Sequence, residues 1–215
     1  MKALVYKSFC EMRYKLLLFP IGLLFAAMLL TGEYNFFFCV LAFFMAGAVS
    51  MNVHYMDDRS HWNEYCYILP ISRKTVVSHT YFVALILNTA MLVLVSVVRV
   101  IGLVINKMPV SALNIVEIIP AYLCGIAVIS IVYFFVYKFS YNVAMVIYMF
   151  ICGAMGGAVG FVSGYTEDEV SLGNLTIDSF NEEILKVYLI ISVAAIAVSF
   201  ISWFMAVKAY DKKEL

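Results

Sequence analysis

Three histidines and two aspartates lie near one another in the sequence, and these side-chain types can bind a metal ion. His54, His61 and His79 surround Asp57 and Asp58. Six residues separate His54 from His61, which is not a recognised spacing of zinc ligands. We therefore expect these histidines to be solvated near a loop, and we predict no metal site.

The sequence lacks the short motifs of common enzyme chemistry. It has no GxxxxGK[ST] loop for nucleotide phosphates, no HExxH zinc motif and no GxSxG nucleophile turn. Its cysteines are odd in number and form no CxxC pair, so they predict no disulfide framework and are expected to be small apolar residues in helices. They are Cys10, Cys39, Cys66, Cys124 and Cys152. The chain is predicted to be no enzyme and to hold no cofactor of its own.

The segment Asp57–Val77 (DDRSHWNEYCYILPISRKTVV) is more charged and aromatic than the rest of the chain. Its apolar residues recur at i, i+3, i+4 and i+7 and so share one face of a two-turn helix. They are Trp62, Tyr65, Cys66 and Leu69. Pro70 is expected to end this helix, and Ser72 can cap the next one. Such a face can rest at the membrane interface or enter a groove on a cytoplasmic partner.

A group of glycines in the fifth apolar run follows the spacing that lets membrane helices approach closely. They are Gly153, Gly156, Gly157, Gly160 and Gly164. We predict that they pack helices within one bundle. An alternative, compatible with this one, is that the helix breaks at its outer end and residues 163–183 hold a short re-entrant turn.

The composition indicates that these elements lie in a membrane. The chain is 65% hydrophobic and 13% charged, whereas soluble domains average about 45–50% and about 25%. Its net charge of zero gives no support for nucleic-acid binding. A membrane-spanning helix takes about 20 residues, and six apolar runs approach or exceed that length. We predict a single all-α transmembrane domain, 1–215, with spans at about 16–31, 35–53, 76–104, 115–136, 143–162 and 184–207.

The basic residues between the spans predict the orientation. With the N-terminus inside, eleven lysines and arginines lie on the cytoplasmic side and two lie outside. Both termini are therefore predicted to be cytoplasmic, in a multi-pass protein of the plasma membrane.

Residues 1–15 are amphipathic at helical spacing. The apolar face carries Leu4, Val5, Phe9 and Met12, and the charged face carries Lys7, Glu11 and Lys15. We expect an interfacial helix with its lysines toward anionic lipid. The alternative is a cytoplasmic extension of the first span.

The middle of each predicted span lacks Asp, Glu and Lys, which disfavours proton-coupled transport. Arg99 lies roughly 35 Å along its helix, near the outer interface. There it is expected either to extend into the headgroups or to pair with Glu117.

Around the segment after Asp57, the sequence resembles the permease subunits of type-two ABC exporters, in particular the compact bacterial permeases of bacitracin resistance and phenol-soluble-modulin export. The matching residues are Trp62, Tyr65, the run Leu69-Pro70-Ile71-Ser72-Arg73-Lys74, and Val76, Val77 and Tyr81. The resemblance implies that residues 57–74, here called the coupling segment, form a helix between spans two and three that enters a groove on an ATPase. The implied coupling residues are Asp57, Trp62, Tyr65, Leu69, Pro70, Ile71, Ser72 and Arg73.

The resemblance also implies a dimer of permeases, expected to be a homodimer, and two separate ATPase subunits that hold ATP and Mg. The absence of charge in the middle of the spans favours an amphipathic peptide or a lipid-like molecule as the substrate, and the resemblance favours a hydrophobic peptide. The alternatives are a stand-alone six-span channel or carrier, and an immunity protein that sequesters a peptide.

Overall fold

The computed structural model describes residues 2–12, 36–60, 62, 66, 71–110, 116, 118–165 and 182–212. These residues form six α-helices, with no strand among them. The helices are α1 (Lys2–Met12), α2 (Phe36–Arg59), α3 (Arg73–Ile105), α4 (Ile118–Lys138), α5 (Tyr141–Tyr165) and α6 (Glu182–Asp211). The first predicted span, 16–31, lies outside the described residues.

Four of these helices are long and apolar enough to cross a membrane. The candidate spans are Cys39–Arg59, Arg73–Ile105, Ile118–Lys138 and Leu189–Asp211, and Tyr141–Ala154 is a shorter apolar helix. Helices thus occur at five of the six predicted positions, which confirms the all-helical membrane class. The count of six spans stays a prediction.

Helix α3 begins at the predicted cap. Ser72 has an extended backbone (φ −67°, ψ 140°), and its Oγ accepts a hydrogen bond from the Thr75 N–H at 3.2 Å. Because this bond satisfies one of the free N–H groups of the first turn, the cap fixes where the helix starts. The helix runs for 33 residues, or about 50 Å at 1.5 Å per residue.

Helix α4 lies at the centre of the bundle and packs against α2, α3, α5 and α6. Phe43 of α2 and Tyr133 of α4 are fully buried in this core. Tyr133 donates a hydrogen bond to the Ser50 Oγ at 2.7 Å, which satisfies its hydroxyl away from water.

Helices α2 and α4 approach closely at Gly125 of α4. A Cβ added there would lie 2.7 Å from the Cβ of Phe43, a distance that requires the backbones to shift. Gly125 follows Ala121 by four residues, so the small-xxx-small pattern was present in α4 and was missed.

The packing prediction for the glycines of α5 stays a prediction. Gly153 is exposed, and within the described part of the chain no atom lies within 4 Å of a Cβ added to it. Gly156, Gly157 and Gly160 lie in helical backbone, but their surroundings, like most of residues 163–183, are outside the described residues.

Candidate functional site

The coupling segment joins the end of α2 to the start of α3. Trp62 and Cys66 have helical backbones, and Ile71 and Ser72 do not. These four residues agree with a short helix that ends before Ile71, and the helix itself stays a prediction. Tyr65, Leu69 and Pro70 lie outside the described residues.

The apolar face of the coupling segment packs against the chain itself. Cys66 is buried in a cluster with Val77 of α3, Tyr137 of α4 and Tyr210 of α6. The side chains of Trp62 and Ile71 pack against the same cluster. Burial also raises the pKa of the Cys66 thiol.

This packing covers part of the apolar surface of two predicted coupling residues, Trp62 and Ile71, which are half-buried against the cluster. Their contact with an ATPase groove stays a prediction. The helical spacing identified the apolar face correctly. It did not distinguish an internal contact from an external one.

Helix α1 is fastened to the coupling segment by Lys7. The Lys7 ammonium forms an ion pair with the Asp57 carboxylate, lies 3.3 Å from a Glu11 carboxylate oxygen, and lies 3.8 Å from the centroid of the Trp62 ring. The expectation that the lysines of α1 face lipid is therefore wrong for Lys7, because the buried Asp57 carboxylate supplies a stronger partner.

The apolar side of α1 faces the bundle. Leu4 is buried, and Val5 and Phe9 pack against a cluster on α2 and α3. The members of that cluster are Val49, Val53, Val83 and Leu87. The apolar side of α1 thus covers part of α2 and α3.

The expectation of solvated histidines is wrong for His54 and His79, which are 8% and 4% exposed. Both lie on helices rather than in the loop between them. The His54 ring makes edge contacts with Tyr133 and Tyr137, at centroid distances of 5.1 and 5.4 Å. The His79 Nε2 lies 2.8 Å from the Ser8 Oγ of α1.

His61 lies outside the described residues. Within the described part of the chain, no three histidine, cysteine or acidic side chains come together to hold a metal ion. All five cysteines are free thiols in helical backbone, and among them Cys10 is exposed.

The exposed side of the coupling segment is polar. Its exposed described residues are Asp58, Arg59, Ser60, Ser72, Arg73 and Lys74. The Arg73 Nη1 donates to the Asp211 carbonyl oxygen at 2.7 Å, and the Lys74 Nζ lies 5.2 Å from the Trp203 ring centroid. These two contacts attach the start of α3 to the end of α6.

Arg99 is 3% exposed and lies inside the bundle. Its expected extension into the headgroups is therefore wrong. Glu117, the other expected partner, lies outside the described residues.

The coupling segment thus contacts α1, α3, α4 and α6, and it continues directly into α2 and α3. The sequence matches the family model described as ABC-2 family transporter protein over residues 3–211. No curated protein and no solved structure matches the chain. The matched family consists of membrane transport components that normally work with ATPase partner subunits. A match over nearly the whole chain, on a bundle of apolar helices, shows that the protein belongs to the ABC-2 transporter family.

Proposed function

We propose that the chain is the transmembrane subunit of an ATP-driven exporter and forms the path for a hydrophobic or amphipathic peptide. The bacitracin-resistance and phenol-soluble-modulin exporters are the members of the family that it would resemble in function. The observation that carries the proposal is the coupling segment, which is fixed to the ends of several helices in a chain of this family.

In this proposal ATP and Mg are held by two separate ATPase subunits, and this chain contributes no cofactor. The ATPases contact the exposed side of the coupling segment, including Arg73, together with Tyr65 and Leu69. Residues 57–74 of each permease copy then move with the ATPase to which they are bound.

The internal contacts give this movement a route into the membrane. Tyr137 and Tyr210 connect the inner face of the segment to α4 and α6, and Lys7 connects it to α1. Because packed helices move as rigid bodies, closure of the ATPases on ATP would displace these helix ends together. A path between two permease copies opens in consequence.

The arrangement proposed in the plasma membrane is a homodimer of six-span subunits with both termini in the cytoplasm. The orientation is supported by the excess of lysine and arginine in the segments assigned to the inside. The apolar composition of the spans supports a hydrophobic or amphipathic substrate, and the preference for a peptide rests on the resemblance to the peptide exporters.

The test uses the chain co-purified with its ATPase. Arg73→Glu and Leu69→Asp each place an unfavourable charge at the proposed contact, and each should reduce ATPase binding and substrate-stimulated hydrolysis at least tenfold, or about 1.4 kcal/mol. The matched controls are Lys107→Glu, an exposed position beyond the other end of α3, and Asn63→Asp. Both controls should behave as the wild type. Assembly and hydrolysis at wild-type levels in both test variants would contradict the proposal.

A further inference from the structure

A cavity of about 430 Å³ lies between the ends of α4 and α6. Three lysines and three apolar residues line it: Phe134, Lys138, Met205, Lys208, Ala209 and Lys212. We call this cavity the lysine pocket. Its volume is within the range of about 300–1,000 Å³ that is common for small-molecule sites.

The lysine pocket has an excess of positive charge. In the described part of the chain, both ion pairs involve Lys7, and none of the three pocket ammonium groups lies within 4 Å of a carboxylate. Asp211 is exposed but does not line the cavity. The carboxyl ends of α4 and α6 contribute about half a negative charge each. Among the described residues, the three ammonium groups exceed that charge, which leaves a site suited to an anion.

The apolar lining indicates which anion this is. Lys208 and Met205 belong to the candidate span Leu189–Asp211, at its end. From the pocket, exposed apolar side chains continue along α6: Phe204, Ile201 and Phe200. On a membrane span such a surface contacts acyl chains. A free phosphate would use the lysines alone, whereas an amphiphile with a phosphate head would use both surfaces.

We propose that the lysine pocket binds the phosphate of an anionic phospholipid, whose acyl chains lie along the exposed apolar side of α6. Basic pockets between transmembrane helices bind lipid headgroups in this way. None of the lining residues belongs to the coupling segment, and the occupancy of the pocket does not depend on the proposed substrate.

The test measures lipid binding to the purified full chain by native mass spectrometry, with phosphatidylglycerol and phosphatidylcholine as probes. The double variant Lys138→Gln/Lys208→Gln should weaken phosphatidylglycerol binding at least tenfold and leave phosphatidylcholine binding unchanged. Lys138→Arg/Lys208→Arg should retain phosphatidylglycerol binding. The matched control Arg59→Gln/Lys107→Gln removes two exposed cations outside the pocket and should bind within twofold of the wild type.

Two outcomes of this experiment would overturn the proposal. Unchanged phosphatidylglycerol binding by the glutamine variant would show that the lipid binds elsewhere. Displacement of the lipid by millimolar inorganic phosphate would identify a site for the free anion.

A second measurement uses the unmodified chain, so it does not depend on the folding of a variant. Phosphatidylglycerol with a photoreactive acyl chain should label residues 200–204, on the exposed apolar side of α6. Labelling confined to other helices would contradict the proposal. Protection of the pocket by the ATPase subunit, with no lipid labelling there, would show that a protein surface covers it instead.

Discussion

The ion pair between Lys7 and Asp57 joins the N-terminal helix to the coupling segment, and its two partners should not be equivalent. Their side chains are 22% and 11% exposed, so little water reaches either charge. In Lys7→Met, the Asp57 and Glu11 carboxylates both lose the ammonium group that they share. Asp57→Asn leaves Lys7 with the Glu11 carboxylate at 3.3 Å and the ring of Trp62 at 3.8 Å. We therefore expect Lys7→Met to be the more destabilising change.

The magnitudes follow from the burial of the pair. Removing one partner of a buried ion pair costs about 3–5 kcal/mol, and the residual exposure places Lys7→Met near the lower end, at about 3 kcal/mol. The contacts that Lys7 keeps in Asp57→Asn reduce its cost to about 1–2 kcal/mol, since a cation–π contact alone contributes about 0.5–2 kcal/mol. For a chain of this length, about 3 kcal/mol corresponds to a Tm decrease of about 6–12 °C.

The assay is thermal unfolding of the purified chain in detergent. Lys7→Met should melt below Asp57→Asn, and Asp57→Asn below the wild type. The double variant should lose less stability than the sum of the losses in the two single variants, because the two residues interact. Lys107→Met, at an exposed lysine, is the matched control and should leave the Tm unchanged. Wild-type stability of Lys7→Met, or additive costs in the double variant, would refute this reasoning.

Two further predictions concern the packing of the helices. Gly125→Ala should be about 1–3 kcal/mol less stable than Gly153→Ala, because its Cβ would meet the Cβ of Phe43 at 2.7 Å whereas Gly153 faces open space. The gain in helix propensity is the same in both variants, so equal stability in detergent unfolding would contradict the close approach. His79→Phe should lose the bond to Ser8, cost about 1 kcal/mol and speed amide exchange in α1. His54→Phe keeps its aromatic contacts and should change amide exchange in α1 little. Faster exchange in His54→Phe than in His79→Phe would show that the roles of the two histidines are assigned wrongly.

The sequence predicts the parts of this fold that depend on local pattern. Long apolar runs identified the membrane class, because a spanning helix must be apolar over its length. Ser72 was identified as a cap because its hydroxyl satisfies a backbone N–H three residues away, which is a local requirement. The apolar face that holds Trp62 and Cys66 was found from its spacing for the same reason.

The parts that depend on distant residues were not predicted. Lys7 and Asp57 are 50 residues apart, and nothing in the spacing of either one indicates the other. The burial of His54 and His79 likewise depends on aromatic and hydroxyl partners from α4 and α1. Gly125 and Gly153 lie in similar sequence patterns, and only the helix that packs opposite distinguishes them.

The central claim is that a separate ATPase drives this chain through the exposed side of the coupling segment. The most direct measurement is site-specific photo-crosslinking in membranes that contain both proteins, with the photoreactive residue p-benzoylphenylalanine replacing exposed Ser60 in that segment. The same replacement at Val110, exposed beyond the opposite end of α3, is the control. We expect a crosslink to the ATPase from position 60 and none from position 110. Crosslinking from position 110 but not from position 60 would contradict the claim.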